Sequence, residues 1–246
     1  MTPSSPIHSS QTSLIGNTGE LQDAALQLQL PLRVRVKICG ITSPEDAEAA
    51  IAAGADALGF NTWQGSRRYL DLETAADWIS TLPSFVTRVA LCVNAPLDHA
   101  QRLAALPYLD ALQFHGDESH EYCRLFAGLG RPFLRAVRLG AASELSDLTQ
   151  WSTRQLLVDA AVPGAYGGTG CSADLALAAE AVAGFPRLFV TLAGGLEPDN
   201  VAAAVRRVRP YAVDVASGVE SAPGKKDVGK MRAFVQAVLG AVSGSS

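Results

Sequence analysis

The stretch VRVKICGITSPEDAEAAIAAGADALGF (residues 34–60) contains one complete unit of the pattern that decides the fold. Two β-like runs, VRVKIC (34–39) and ADALGF (55–60), flank an alanine-rich segment with the composition of a helix. Ser43 followed by Pro44 is typical of a helix start, because a serine side chain caps the first turn and proline fits its first position. The stretch therefore predicts a strand–helix–strand unit.

The same alternation continues to the end of the chain, where helical patterns separate six further strand-like runs. These runs are RVALCVN (88–94), LDALQFHG (109–116), PFLRAV (132–137), QLLVDA (155–160), RLFVTLA (187–193) and YAVDVAS (211–217). Strands that alternate with helices pair in parallel, and eight units in 246 residues favour a barrel over an open doubly wound sheet. We therefore expect an α/β fold, a single (β/α)8 TIM barrel with outer helices over residues 32–246. Residues 1–31 are polar and rich in Gln and Ser, which predicts a flexible N-terminal extension.

Composition and charge exclude several classes of protein. The net charge of −4 and the lack of a dense basic run argue against nucleic acid as a partner. No apolar run reaches the ~18 residues that a membrane-spanning helix needs. The four cysteines lie far apart without a CxxC pair, which argues against a zinc site and against a disulfide framework. These features predict a cytoplasmic protein with a small-molecule partner.

Side-chain alternation along the strands predicts which residues face the barrel interior. Several of these residues are polar and lie near the carboxyl ends of their strands, the rim at which barrel enzymes carry their chemistry. The predicted inward residues are Lys37 and Cys39 on the first strand, Cys92 and Asn94 on the third, Gln113 and His115 on the fourth, Asp159 on the sixth, and Asp214 on the eighth.

Glycine-rich segments follow the last three strands. TLAGGLEPDN (191–200) and DVASGVESAPGKKD (214–227) follow the seventh and eighth, where barrels commonly bind phosphate through backbone N–H groups. Either segment alone could be a tight turn, but two on consecutive final strands favour a phosphate site. Its candidate residues are Gly194, Gly195, Ser217 and Gly218. The long segment AAVPGAYGGTGCSADL (160–175) is predicted to be a mobile cover over the site.

Acid–base candidates lie on the same predicted rim. A buried cysteine is usually a core residue, but Cys39 shares its strand face with Lys37, whose charge would stabilise a thiolate base. Asp159 is an inward carboxyl group whose burial would favour the protonated form, so that it could act as a general acid. His115 is either a core histidine or part of the site, and Asp214 is a further candidate. In SRRYL (66–70), Arg68 could grip a carboxylate, or the arginine pair could be a solvated surface feature.

The chain resembles the phosphoribosylanthranilate isomerase family from about residue 33 to its end. The motifs that carry the resemblance, in the family's order, are VKICGIT (36–42), GADALGF (54–60), SRRYL (66–70), VNAP (93–96), LQFHGDE (112–118), LLVDA…YGGTG (156–170), LAGGLEPDNV (192–201) and VDVASGVESAPGKKD (213–227). The KICGIT, SGVE and PGKKD segments are fairly specific, whereas the phosphate loops occur in many barrels. The sequence departs from the family at NTWQG (61–65) and in its first thirty residues.

The resemblance implies an intramolecular aldose–ketose isomerisation in tryptophan biosynthesis that uses neither a metal nor another cofactor. The substrate would be N-(5-phosphoribosyl)anthranilate and the product 1-(2-carboxyphenylamino)-1-deoxyribulose 5-phosphate. By the same resemblance, Cys39 is the general base and Asp159 the general acid. Arg68 would hold the anthranilate carboxylate, Asp214 would contact the substrate near the reacting atoms, and His115 is placed among the substrate-binding residues.

Three alternatives remain open from the sequence. One is an aldose isomerase of histidine biosynthesis or a dual-substrate relative, although such barrels use paired aspartates and a cysteine at the end of the first strand argues against them. The second is a catalytically silent barrel that binds phosphorylated ligands, and the third is a part of a fused enzyme. The oligomeric state expected is a monomer or a homodimer.

Overall fold

The computed structural model describes residues 33–159 and 175–243. The predicted N-terminal extension, 1–31, and nearly all of the predicted cover segment, 160–175, lie outside the described residues.

Eight parallel strands form a closed barrel in sequence order, which confirms the predicted (β/α)8 fold. The strands are β1 (Arg35–Cys39), β2 (Ala57–Asn61), β3 (Thr87–Cys92), β4 (Ala111–Phe114), β5 (Phe133–Arg138), β6 (Gln155–Asp159), β7 (Phe189–Leu192) and β8 (Ala212–Val215). The α-helices are α1 (Pro44–Ala53), α2 (Ala76–Ser80), α3 (Leu97–Ala105), α4 (His120–Ala127), α5 (Leu175–Gly184), α6 (Val201–Val208) and α7 (Val228–Ser243). A 3-10 helix, Ala142–Gln150, lies between β5 and β6.

The segment between β8 and α7 carries additional structure. A short 3-10 helix, Ser217–Val219, leads into the two-stranded antiparallel hairpin of β9 (Glu220–Ala222) and β10 (Lys225–Lys226). The backbone N–H of Lys226 donates to Asp46 at the start of α1, 3.1 Å away. The hairpin is therefore anchored beside the end of β1.

The outer faces of the strands pack against the helices in one continuous apolar shell. Val36 and Ile38 of β1, and Val213 and Val215 of β8, lie in this shell as the alternation predicts. On β4 the ring of Phe114 meets those of Tyr122, Phe126 and Phe133, with centroid distances of 5.3, 4.8 and 5.3 Å. Burial of this apolar surface is the main force that holds the helices on the barrel.

The prediction for the third strand is wrong. Cys92 faces the helices within the outer shell, whereas Leu91 and Val93 pack inside the barrel against Cys39. The expectation that polar residues face inward fails here because the barrel interior also contains apolar layers, and either face of the apolar run 89–93 can fill such a layer. Asn94 lies beyond the strand at a left-handed φ of 49°, and its side-chain oxygen accepts a hydrogen bond from the N–H of Asp117.

The predicted cap of the first helix is confirmed. Ser43 Oγ accepts a hydrogen bond from the N–H of Asp46 at 3.2 Å, with Pro44 at the first helical position. This bond satisfies one of the amide groups that a helix start leaves without an intrahelical partner.

Replacing Ser43 by Ala is expected to lower the free energy of unfolding by about 1 kcal/mol, because the amide loses its acceptor. Chemical denaturation monitored by circular dichroism measures the change. Ser80→Ala is the control, since the exposed Ser80 at the end of α2 caps no helix start. Equal effects of the two substitutions would contradict the capping role.

Candidate active site

A cavity opens at the carboxyl ends of the strands. All the site residues predicted from the sequence line it: Cys39, Arg68, His115, Asp159, Gly194, Gly195, Asp214, Ser217 and Gly218. Asn61, from the segment that departs from the family pattern, and Ser66, the first residue of the SRRYL motif, line it as well. Residues from distant parts of the chain thus share one concave site at the rim that carries the chemistry of such barrels.

Lys37 and Asp214 form a buried ion pair beneath the cavity. They are register partners on the adjacent strands β1 and β8, so both side chains point into the barrel, with Lys37 Nζ 2.8 Å from Asp214 Oδ1. Burial alone would lower the pKa of Lys37, but the Asp214 carboxylate and Cys39 together keep the pKa of this ammonium above its ordinary value. Lys37 is therefore a fixed cation below the floor of the site.

Cys39 lies one layer above this pair, in space that a glycine leaves open. Its register partner on β2 is Gly59, and a Cβ at that position would lie 2.7 Å from Cys39 Sγ and 2.9 Å from Lys37 Nζ. Both distances are too short for ordinary contact. Gly59 therefore makes room for the thiol and the ammonium side by side.

The thiol of Cys39 is harder to ionise than the sequence suggested. Burial raises the pKa of Cys39, and the opposing effect of Lys37 is not large enough to cancel it, partly because Asp214 adds a negative charge nearby. Burial also raises the pKa of Cys92 to about 12 and that of Cys123 to about 11. Cys39 differs from these two cysteines because it faces the cavity, with Lys37 directly beside its thiol.

His115 connects the fourth and sixth strands at the other side of the cavity. Its Nε2 lies 2.8 Å from Asp159 Oδ2, and its Nδ1 lies 2.8 Å from Gln113 Nε2. Because an amide nitrogen can only donate, His115 Nδ1 accepts, and the ring proton on Nε2 is donated to Asp159. This chain of bonds orients the Asp159 carboxyl group, and His115 itself lines the cavity.

Arg68 reaches the cavity from the loop after β2 and is held by Glu220, which also binds Lys226; the sequence analysis missed both of these residues. Its Nε and one terminal nitrogen each lie 2.7 Å from an oxygen of Glu220, and Lys226 Nζ lies 2.9 Å from the same carboxylate. Burial would raise the pKa of Glu220, but the bonds from Arg68 and Lys226 hold it below its ordinary value. Glu220 and Lys226 fall in the SGVE and PGKKD motifs, yet no local pattern indicates that they meet Arg68.

The glycine-rich loops after β7 and β8 approach each other closely. Gly194 and Gly195 have φ values of 90° and 63°, a conformation that side chains other than glycine rarely adopt. A Cβ at Gly218 would overlap the carbonyl oxygen of Leu196 in the neighbouring loop. Asn200 Nδ2 donates to Gly195 O at 2.8 Å, which braces the turn. Exposed backbone at this junction can approach an anion without interference from side chains.

Within the ranges 33–159 and 175–243, no group of three or more His, Cys, Asp or Glu side chains is placed to hold a metal ion. Over those same ranges, no helix is both long and apolar enough to cross a membrane.

We expect Cys39 to ionise above the ordinary thiol pKa of about 8.5, because burial outweighs the nearby cation. Lys37→Met should move the pKa of Cys39 further upward, since it removes the opposing charge. The thiolate ultraviolet absorbance as a function of pH, taken as the difference from Cys39→Ala, measures both values. A thiolate already present at neutral pH in the free protein would contradict the dominance of burial.

Comparisons with known proteins identify the family of the chain and agree with the barrel fold. The family model described as N-(5'-phosphoribosyl)anthranilate (PRA) isomerase matches residues 36–237. A relative from Magnetococcus marinus, named N-(5'-phosphoribosyl)anthranilate isomerase, is 49% identical over 214 residues, which cover 87% of this chain and 99% of the relative.

Solved structures of similar proteins lead to the same family. The phosphoribosyl anthranilate isomerase of Thermotoga maritima superposes with a TM-score of 0.75 at 37% identity, covering 84% of this chain and 99% of that one. A structure of the same type of enzyme in complex with reduced 1-(o-carboxyphenylamino)-1-deoxyribulose 5-phosphate has a TM-score of 0.72 at 36% identity, with coverage of 84% and 99%. From the matched family model and the extent of these similarities, we conclude that the chain belongs to the N-(5'-phosphoribosyl)anthranilate isomerase family.

Proposed function

We propose that this protein converts N-(5-phosphoribosyl)anthranilate to 1-(2-carboxyphenylamino)-1-deoxyribulose 5-phosphate, with Asp159 as the general acid and Cys39 as the general base. The observation that carries the proposal is that one cavity is lined by this thiol and this carboxyl group, together with an arginine and the two glycine-rich loops. The arginine is complementary to a carboxylate, and the glycine-rich loops are complementary to a phosphate. The site therefore suits a substrate that has a carboxylate at one end and a phosphate at the other.

Ring opening is the first chemical step. Asp159 gives its proton to the furanose ring oxygen while the anilinic nitrogen displaces that oxygen from C1′, so the C1′–O bond breaks and an iminium forms. The hydrogen bond from His115 Nε2 stabilises the carboxylate that Asp159 then carries. A positioned acid of this kind typically contributes about 10²–10⁴-fold to the rate.

Proton removal from C2′ is the second step. The cationic iminium makes the C2′ proton acidic, and its charge offsets the burial that disfavours the Cys39 thiolate in the free site. After the thiol has released its proton to solvent, the Cys39 thiolate takes the C2′ proton, so the thiol forms again and the iminium becomes a neutral enolamine. The enol O–H then loses its proton while C1′ gains one, so the ketone forms and no atom is gained or lost overall.

The two ends of the substrate are held by different elements. We place the phosphate against Gly194, Gly195, Ser217 and Gly218, and the anthranilate carboxylate against Arg68. Asp214, held by Lys37 at the cavity floor, would face the reacting atoms between them. Fixing both ends brings C2′ to the same position in each encounter, which reduces the entropy cost of the reaction.

We further propose a cytoplasmic location and a monomeric or homodimeric state, with a phosphorylated small molecule as the partner. The free, buried thiols of Cys39, Cys92 and Cys123 support a reducing compartment.

Cys39→Ala and Asp159→Ala are each expected to lower kcat by about 10²–10⁴-fold, because each removes a group that transfers a proton. The decrease in anthranilate-derivative fluorescence, with substrate made in situ, measures turnover. Cys123→Ala removes a buried thiol away from the cavity and should leave kcat within about twofold of the unmodified protein. Lack of turnover by the unmodified protein would overturn the function, whereas full activity of Cys39→Ala would overturn only the assignment of the base.

Gly218→Ala is expected to weaken competitive inhibition by inorganic phosphate by at least about tenfold, because the added Cβ forces the two glycine-rich loops apart. The inhibition constant from initial rates measures the effect. Gly240→Ala on α7 is the control, since a Cβ there meets no atom within 4 Å. Unchanged inhibition by phosphate in Gly218→Ala would place the phosphate elsewhere.

A further inference from the structure

Within the described ranges 33–159 and 175–243, the guanidinium of Arg68 forms hydrogen bonds through one of its two edges. Glu220 occupies the side edge, formed by Nε and one terminal nitrogen, with two bonds of 2.7 Å. A guanidinium also has an end edge, formed by its two terminal nitrogens, which can bind a second carboxylate in the same plane. Because Arg68 lines the cavity, a substrate carboxylate can approach that second edge.

The cluster of Arg68, Glu220 and Lys226 has an excess of positive charge. Two cations meet one carboxylate, whose side chain is only 5% exposed, and the Lys226 side chain is fully buried. Lys226 Nζ also donates to the carbonyl oxygen of Ala216 at 3.1 Å, which fixes it behind the carboxylate. Lys226 neutralises part of the negative charge of Glu220. Arg68 therefore still attracts an anion while it is paired with Glu220.

The cluster also ties the arginine to the rest of the site. Glu220 follows directly on the 3-10 helix Ser217–Val219, which belongs to the proposed phosphate loop. The aliphatic part of Arg68 lies against Gly40, where a Cβ would overlap the Arg68 side chain. Gly40 is the neighbour of Cys39 on the strand that carries the proposed base. Through its bonds to Arg68, the Glu220 carboxylate therefore connects the arginine both to the proposed phosphate loop and to this strand.

We infer that Glu220 is a positioning residue: it holds Arg68 by its side edge, with Lys226 as the compensating cation, so that the end edge is directed to the carboxylate of the substrate. This inference rests on the proposed function and adds the residues that set its specificity for a carboxylate-bearing substrate. Glu220 itself touches no reacting atom in this arrangement.

The test compares the affinities of two probes by calorimetry. One is reduced 1-(o-carboxyphenylamino)-1-deoxyribulose 5-phosphate, and the other is the same compound without its carboxyl group. The ratio of their affinities isolates carboxylate recognition. We expect a ratio of about tenfold or more in the unmodified protein, and a ratio near one in Arg68→Ala.

In Glu220→Ala we expect the ratio to fall at least about fivefold, while the affinity for the carboxyl-free probe changes by less than about threefold. Glu220→Gln should restore part of the ratio, because its amide oxygen still accepts one guanidinium bond. The double variant Arg68→Ala/Glu220→Ala should match Arg68→Ala, since Glu220 acts through the arginine.

Asp110→Asn is the matched control, because Asp110 binds Arg88 in the same two-bond geometry, at 2.8 and 2.9 Å, at the opposite end of the barrel. Its probe ratio should equal that of the unmodified protein. A ratio unchanged in both Glu220 variants, or equal losses of affinity for the two probes, would overturn the inference. If Glu220→Ala does not fold, the affinity ratio of Glu220→Gln decides: a ratio below that of the unmodified protein supports the inference, and an unchanged ratio overturns it.

The same data separate this inference from the proposed function. An unmodified protein that neither binds the probes nor turns over substrate contradicts the function itself. Turnover with an intact ratio in the Glu220 variants contradicts only the positioning role.

Discussion

The pairing of β8 with β1 closes the barrel, and the rest of the site depends on that closure. Its register puts Lys37 beside Asp214 inside the barrel, although 177 positions separate them along the chain. The same closure brings the loop that carries Ser217 and Gly218 next to the end of the strand that carries Cys39. Because parallel strands end at the same rim, a single geometric constraint brings together a buried cation, a thiol and an anion-binding loop.

Among the described residues, the site cations Lys37, Arg68 and Lys226 each have a counter-charge within hydrogen-bonding distance. Lys37 is paired with Asp214 below the cavity, and Arg68 and Lys226 share Glu220 at its edge. Unpaired ions in these positions would be costly, whereas paired ones retain a directed field. Burial makes the Cys39 thiol hard to ionise, and the nearby cations oppose that effect. In the proposed reaction, the positive charge of the iminium would favour the thiolate further, which is how this thiol would serve as the proposed base.

Much of the fold and the site could be predicted from the sequence, because alternation along strands is a local property. It predicted that Cys39, His115, Asp159 and Asp214 lie at one rim, and all four line the same cavity, His115 directly after its strand and the others within theirs. It failed on the third strand, where Leu91 and Val93 fill an apolar inner layer and Cys92 faces outward. The pairing of Arg68 with Glu220 could not be predicted because it depends on how two loops meet in space.

The most direct test of the proposed mechanism is a crystal structure of this protein with reduced 1-(o-carboxyphenylamino)-1-deoxyribulose 5-phosphate bound. We predict that the phosphate lies between Gly195 and Gly218 and the carboxylate on the end edge of Arg68, with the Glu220 pair intact. Cys39 Sγ should lie within about 4 Å of C2 of the sugar, with Asp159 on the opposite side of the chain. A bound analogue whose C2 lies far from Cys39, or whose carboxylate does not touch Arg68, would contradict the assignment of the base and of the anchor.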